Sequence, residues 1–258
     1  MKIDIDVSMS YELGAERTAL LALEAAGIEG QVVTEEQLDI GDAELRHIAG
    51  EMGFGRRTWA NLSSDVMRLR YRARVNVDRA PVRLDGLPAA PMDALPLAEI
   101  TFLRPSRYCQ SDRLEPFAER EFGHFAGGDR IAAILDWITA ELEYVAGHSD
   151  SATTLLETFE TRKGVCRDYA HMLCGLARAS RIPASYVSAY GASVDPPDFH
   201  AVVQVWLDSR WHLIDPTGMC GADELVVIGI GRDAADVPFM ETPDEARLLD
   251  QRICVSRV

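Results

Sequence analysis

Residues 162–180 read Arg162-Lys163-Gly164-Val165-Cys166-Arg167-Asp168-Tyr169-Ala170-His171-Met172-Leu173-Cys174-Gly175-Leu176-Ala177-Arg178-Ala179-Ser180. Tyr169, Ala170, Leu173, Leu176 and Ala177 recur at helical spacing, which predicts a helix with that face turned into the protein. Cys166 shares the face, one turn before Ala170, in the first turn behind Gly164. A helix N-terminus is the positive end of the macrodipole, a setting that suits an anion and hence a nucleophilic thiolate. Cysteine is also a small hydrophobe, and taken alone Cys166 reads first as a packed thiol. The decision rests on whether the rest of the chain supplies a base and a group to orient it.

Upstream, Ile131, Ile134, Leu135, Ile138 and Leu142 predict an amphipathic helix capped by Asp129. A shorter helix carries Leu155, Leu156 and Phe159, and Gly164 separates it from the Cys166 segment. That segment ends before Pro183, because the residue preceding proline avoids the α region. Strands follow at Ala184–Tyr190, His200–Leu207 and Trp211–Ile214, with later candidates at Leu225–Ile230 and Leu248–Val258.

The hairpin makes a geometric prediction. With Asp208-Ser209 as a two-residue turn, Leu207 opposes Arg210 and Val202 opposes Asp215. His200 and Val202 share a face, so His200 and Asp215 are diagonal neighbours on it, roughly 7–8 Å apart at the backbone. A slip of one residue would put them on opposite faces. A thiol nucleophile needs a base and a third group that orients the base, and Cys166, His200 and Asp215 fill those roles. Asp215 before Pro216 also reads as an ordinary turn residue. His171 and His212 are alternative bases, although His171 falls on another face of the Cys166 helix. A metal site from Cys166, His171 and Cys174 matches no common zinc spacing.

The first hundred residues read as β structure. Ile3, Ile5 and Val7 alternate with charged residues, and Val32–Ile40 is a further strand. Thr18–Ala26 is ambiguous because its Ala and Leu residues favour helix. Arg46–Arg57, with Gly50, Gly53 and Gly55, reads as loop. Met67–Val77 alternates apolar residues with Arg68, Arg70, Arg72 and Arg74. This ladder predicts a solvated sheet face whose neighbouring strands supply acids; an acidic partner surface is the other reading, and homo-oligomer formation is left open. Pro81, Pro88, Pro91 and Pro96 mark a connector. The expected domains are therefore 1–103, β-rich, and 104–258, the core. Gln110, in the polar stretch after the connector, is a weak candidate oxyanion donor.

The chain has 258 residues and a formal charge of −15. That balance argues against general nucleic-acid binding, which relies on Lys and Arg against phosphate. No stretch predicts a transmembrane helix and the N-terminus has no apolar signal core, so membrane association and export are not expected. Five scattered cysteines (109, 166, 174, 220 and 254) form no disulfide or zinc pattern and point to a reducing, cytoplasmic setting. No cofactor or metal is expected.

Gly164-Val165-Cys166-Arg167-Asp168, Ile182-Pro183, His200-Ala201 and Trp211-His212-Leu213-Ile214-Asp215-Pro216-Thr217, in that order, resemble the transglutaminase-like superfamily of cysteine enzymes across about residues 105–230. Bacterial members with a β-rich N-terminal region are similar over more of the chain. The resemblance implies an α+β fold in which the Cys helix packs on an antiparallel sheet, and it implies a strand at Thr18–Ala26. It implies Cys166 as nucleophile, His200 as base and acid, and Asp215 as orienter, acting on a peptide or protein amide through a thioester. Hydrolysis is the expected outcome. Glutaminyl acyl transfer and a non-catalytic binding module are the alternatives. The Cys166 backbone N–H is a candidate oxyanion donor. Many relatives carry an aromatic two residues after the histidine, where this chain has Val202. No Asp-x-Asp-x-Asp-Gly loop supports calcium activation.

Overall fold

The computed structural model describes residues 1–258. Six strands open the chain: β1 (Lys2–Leu13), β2 (Thr18–Leu21), β3 (Gln31–Asp39), β4 (Glu44–Ala49), β5 (Arg56–Asn61) and β6 (Val66–Val77). The helices are α1 (Leu97–Ile100), α2 (Glu115–Phe122), α3 (Gly127–Glu141), α4 (Leu155–Thr161) and α5 (Cys166–Ala179). Two short strands, β7 (Glu143–Tyr144) and β8 (Lys163–Gly164), flank α4. The remaining strands are β9 (Ala184–Gly191), β10 (Phe199–Leu207), β11 (Arg210–Ile214), β12 (Leu225–Gly231), β13 (Met240–Glu241) and β14 (Ala246–Arg257).

Three four-stranded sheets run β14-β1-β6-β3, β13-β2-β5-β4 and β11-β10-β9-β12, and β7 pairs with β8 in parallel. The fold is α+β, with the Cys166 helix packed on the antiparallel β11-β10-β9-β12 sheet. Alternation explains the N-terminal strands: Ile3, Ile5, Val7 and Met9 of β1 and Met67, Leu69, Tyr71 and Val75 of β6 enter one core. The arginine ladder points outward and meets acids from both flanking strands. Arg74 makes paired bonds to Asp4 at 2.7 and 2.9 Å and reaches Glu35, while Arg70 grips Asp6.

A second core lies between α5 and the central sheet. It gathers Ile131, Ile134 and Ile138 of α3, Leu155 of α4, Leu173 and Leu176 of α5, and Val203, Val205 and Leu207 of β10. Each such side chain gains about 1.5–3 kcal/mol on leaving water. Gly175 allows the α4–α5 contact: a Cβ there would lie 2.3 Å from Leu155 Cδ2.

Several expectations need correction. Arg46–Arg57 is not a loop but most of the hairpin β4–β5, with its glycines confined to the turn at 50–55. β4 is an edge strand with neither face deeply buried, so it carries no apolar alternation to read. Asp129 does not cap α3. Ala126 holds the N-cap position, and the Asp129 carboxylate accepts the Gly86 N–H at 3.0 Å, tying the connector to the helix. Of Thr18–Ala26, only Thr18–Leu21 is strand, because Ala19 and Leu21 alternate into the N-terminal core and outweigh helical propensity. The expected boundary near residue 103 does not partition the sheets. β14 pairs with β1 and β13 with β2, so strands from the end of the chain complete the N-terminal sheets. Tyr190, Val226 and Ile228 of the central sheet also enter the N-terminal core, and the Tyr190 hydroxyl donates to Leu23 O at 2.6 Å.

Candidate active site

The site begins at the N-terminus of α5. Val165, the N-cap residue, has no side-chain oxygen to offer the helix. Asp168, three residues on, accepts the Val165 N–H at 2.8 Å and the Ser149 hydroxyl. Its side chain is fully buried, and Gly164 makes the space: a Cβ at 164 would lie 2.5 Å from Asp168 Cβ. The Gly-Val-Cys-Arg-Asp run thus seats the first turn and leaves Cys166, half-buried, at its rim.

The hairpin supplies the other half. Asp208 and Ser209 adopt φ of 48° and 59°, positive at both central positions as in a type I′ turn. Leu207 opposes Arg210 and Val203 opposes Ile214, the register that sets His200 and Asp215 on one face. His200 Nε2 donates to Asp215 Oδ2 at 2.8 Å, with each side chain 1% exposed. The other ring nitrogen, Nδ1, has no hydrogen-bond partner, and the Cys166 sulfur is near enough for its charge to act on His200. Asp215 is held from every side: Oδ2 also accepts the Cys220 N–H at 2.9 Å, and Oδ1 accepts the Thr217 N–H at 2.9 Å and hydroxyl at 2.7 Å.

This packing sets the charges. Burial alone would lower the His200 pKa, but the hydrogen bonds and negative charge of Asp215 and Cys166 outweigh it and raise it to about 9. Burial would raise Asp215, and its bonds to His200 and Thr217 reverse that and hold it below the usual carboxylate range. At neutral pH the arrangement is an imidazolium on a carboxylate, with the Cys166 sulfur nearby.

The other sequence candidates lie elsewhere. His171 is sealed in the core, where its Nε2 accepts the Ala234 N–H at 3.2 Å and its ring stacks on Tyr108. Burial, with Arg167 and Arg178 nearby, pushes its pKa down to about 3, so it stays neutral. His212 Nε2 bonds Leu207 O at 3.1 Å, on the far turn of the hairpin. Gln110 turns its amide N–H to Arg107 O at 2.9 Å, a local loop contact. Cys174 is fully buried against Cys109, away from the rim where Cys166 sits.

Three residues of the site were missed from sequence. Asp168 was recoverable as an acid three residues after an N-cap, the reciprocal half of a capping box. Thr217 was recoverable from the Asp-x-Thr turn. Tyr144 carries no such signal, since β7 is two residues long, yet its pairing with β8 sets it opposite Gly164, two residues before Cys166, with its ring 5.8 Å from that of Tyr169.

Similarity to known proteins agrees with this geometry. The family model for the transglutaminase-like superfamily matches residues 120–216, a span holding Cys166, His200 and Asp215. A solved structure from Cytophaga hutchinsonii, provisionally designated a cysteine protease, superposes with a TM-score of 0.94 at 31% identity, covering 99% of this chain and 90% of that one. The chain belongs to the transglutaminase-like superfamily. Its similarity to an uncharacterised Mycobacterium leprae protein is 30% over 117 residues, 42% of this chain and 41% of that protein. With an uncharacterised Mycobacterium tuberculosis protein it is 34% over 116 residues, 39% and 37% of the two chains. The chain thus spans about two fifths of the length of the curated relatives it matches. Like the Cytophaga structure, this transglutaminase-like chain carries its β-rich N-terminal region with the core. No helix is long and apolar enough to cross a membrane.

Proposed function

We propose that this transglutaminase-like protein is a thiol-dependent amide hydrolase with Cys166 as nucleophile, His200 as acid and base, and Asp215 as orienter. The observation that carries the reading is the buried 2.8 Å His200–Asp215 bond, with the free imidazole nitrogen beside a thiol at a helix N-terminus. With the Sγ proton taken up by His200, Sγ attacks the amide carbonyl carbon, and the carbonyl electrons move to oxygen. Collapse of that oxyanion expels the amine, which takes the His200 proton, and leaves a thioester. His200, now neutral, deprotonates a water that attacks the thioester and releases the acid and Sγ. The Cys166 N–H, free at the helix terminus, donates to the oxyanion. The expected substrate is a peptide or protein amide. The five free cysteines suit a reducing, cytoplasmic setting.

The test is a panel of peptide amides and glutaminyl peptides, with and without a primary amine, comparing wild type with Cys166→Ala. Release of acid that disappears in Cys166→Ala supports the proposal. Amine incorporation in place of hydrolysis would make the protein an acyl transferase using the same thioester. No turnover across the panel, with Cys166 inert to alkylation, would leave a binding module and overturn the proposal.

A further inference from the structure

Two edge strands, β3 and β11, border a cleft of about 1090 Å³, and residues 78–83 of the connector complete its wall. Gln204 and Trp206 of β10 line it, alternating with Val203, Val205 and Leu207, which pack against α5. The cleft therefore lies across the central sheet from the Cys166 helix, with Trp206 six residues along β10 from His200, roughly 20 Å. Residues 209–213 border it without a break, side chains of both parities included, so it follows the outer edge of β11. Arg210–Ile214 bond through the main chain only to β10, which leaves alternate N–H and C=O groups on that edge unpaired. Trp206 and Trp211 oppose each other across the hairpin, rings 5.3 Å apart, and give the cleft an aromatic wall. Asn76 Oδ1, also in the wall, is buried with no partner.

One charge in the cleft is fixed and unanswered. Arg79 Nη1 donates to Leu225 O at 2.7 Å and Nη2 to Gln31 Oε1 at 2.6 Å, both neutral acceptors. Gly30, at φ 81°, clears its arm: a Cβ there would lie 2.8 Å from Arg79 Cγ. Burial with no opposing carboxylate lowers the Arg79 pKa, as for a guanidinium short of a counter-ion. At the rim, exposed Arg83 and Arg210 offset exposed Glu29 and Asp78. His212, bonded to Leu207 O, is held neutral by burial. A single positive charge is left over. An acid-rich segment would meet Glu29 and Asp78, whereas one carboxylate at the end of an apolar chain matches the balance. We propose that this cleft binds the C-terminal segment of a peptide, its carboxylate on Arg79, its main chain added to β11 as a further strand and its apolar side chains against Trp206 and Trp211. Such a chain supplies the N–H and C=O groups that the β11 edge lacks. The site acts without turnover at Cys166 and stands whether or not the hydrolase reading holds.

The probe is a mixture of acetylated tetrapeptides of Val, Leu, Thr and Phe, prepared as free acids and as C-terminal amides. It is added to the full chain carrying Cys166→Ala, so that nothing is turned over. Indole ¹⁵N NMR reads the four tryptophans separately, with Trp206→Phe and Trp211→Phe assigning the two in the cleft. The free acids should shift Trp206 and Trp211, leave Trp59 and Trp137 in place, and bind at least about tenfold more tightly than the amides. Arg79→Gln should remove the difference between acid and amide. If that variant does not fold, the acid and amide titrations of the Cys166→Ala chain decide alone. Equal binding of acids and amides, shifts confined to Trp59 and Trp137, or no shift at all would overturn the proposal. Amides carrying one internal Asp that bind as well as the free acids would overturn the terminal carboxylate. Movement of the same two indoles with protein concentration alone, together with a dimer in sedimentation, would give the cleft to a second copy and overturn the proposal as well.

Discussion

Asp215 occupies a position where one atom decides how His200 is held. Its four accepted hydrogen bonds leave no lone pair free, and one of them holds His200 Nε2. Asp215→Asn keeps the shape but places an NH₂ where a carboxylate accepted, so the imidazole loses its tautomer and its counter-charge. kcat should fall on the order of 10⁴-fold, as when such an aspartate is neutralised in other triads, measured on whichever amide substrate wild type cleaves. The pH dependence follows from the raised His200 pKa. A group whose folded pKa lies above its unfolded value stabilises the fold fully below the unfolded value, and that gain is lost as pH rises through the folded one. The stability gap between wild type and Asp215→Asn should therefore be widest between about pH 4, where Asp215 is charged in both states, and about pH 6.5, and narrow as pH climbs through about 9. Denaturant titrations across that range measure it, and a gap that widens would contradict the assignment. Thiol reactivity provides a second check. Cys109 and Cys174 are sealed and Cys220 is buried, so Cys254 is the other accessible thiol. Iodoacetamide near neutral pH should label Cys166 ahead of Cys254 by peptide mapping, and His200→Ala should erase the preference.

At the scale of the element, the β10–β11 hairpin does most to assemble the site, because a two-residue turn dictates which residues face together. Asp208 and Ser209 both hold positive φ, a conformation that Asn and Gly adopt at less cost. The double change Asp208→Asn, Ser209→Gly should raise stability by roughly 0.5–1 kcal/mol in urea unfolding and leave kcat unaltered. This register was legible in the sequence, since the strand lengths and the Asp-Ser pair sufficed to place His200 over Asp215. α5 was legible for the same reason: its apolar spacing is unbroken from Tyr169 to Ala177. β4 was not, because an edge strand open to solvent on both faces leaves no alternation to find. The Asp129 cap failed on a different ground. Its carboxylate found a distant backbone donor, Gly86, and no local pattern encodes a partner 43 residues away.

On the scale of the whole molecule, the chain closes on itself. β14 brings Ile253 into the N-terminal core and pairs along nearly all of β1. Removing residues 246–258 would expose a long edge on β1 and leave that core short of a strand, a recognised route to association. We expect the truncated protein to aggregate or to lose its cooperative thermal transition, read by light scattering and calorimetry; a stable, monomeric truncation would show that β14 is dispensable. The same closure explains why the proline-rich connector misled as a boundary. Composition marks where regular structure stops, but strand exchange between distant segments is settled by which edges are left unpaired. Chemistry followed a similar division. Residue type and spacing were enough to place Cys166 at a helix start and His200 and Asp215 on one face of a hairpin, because both are local consequences of sequence. The pairing of Tyr144 with Gly164 and the reach of Tyr190 from the central sheet into the N-terminal core arise from packing between segments apart in the chain. Contacts of that kind depend on the sum of many burials across the fold, and no single stretch of residues carries them.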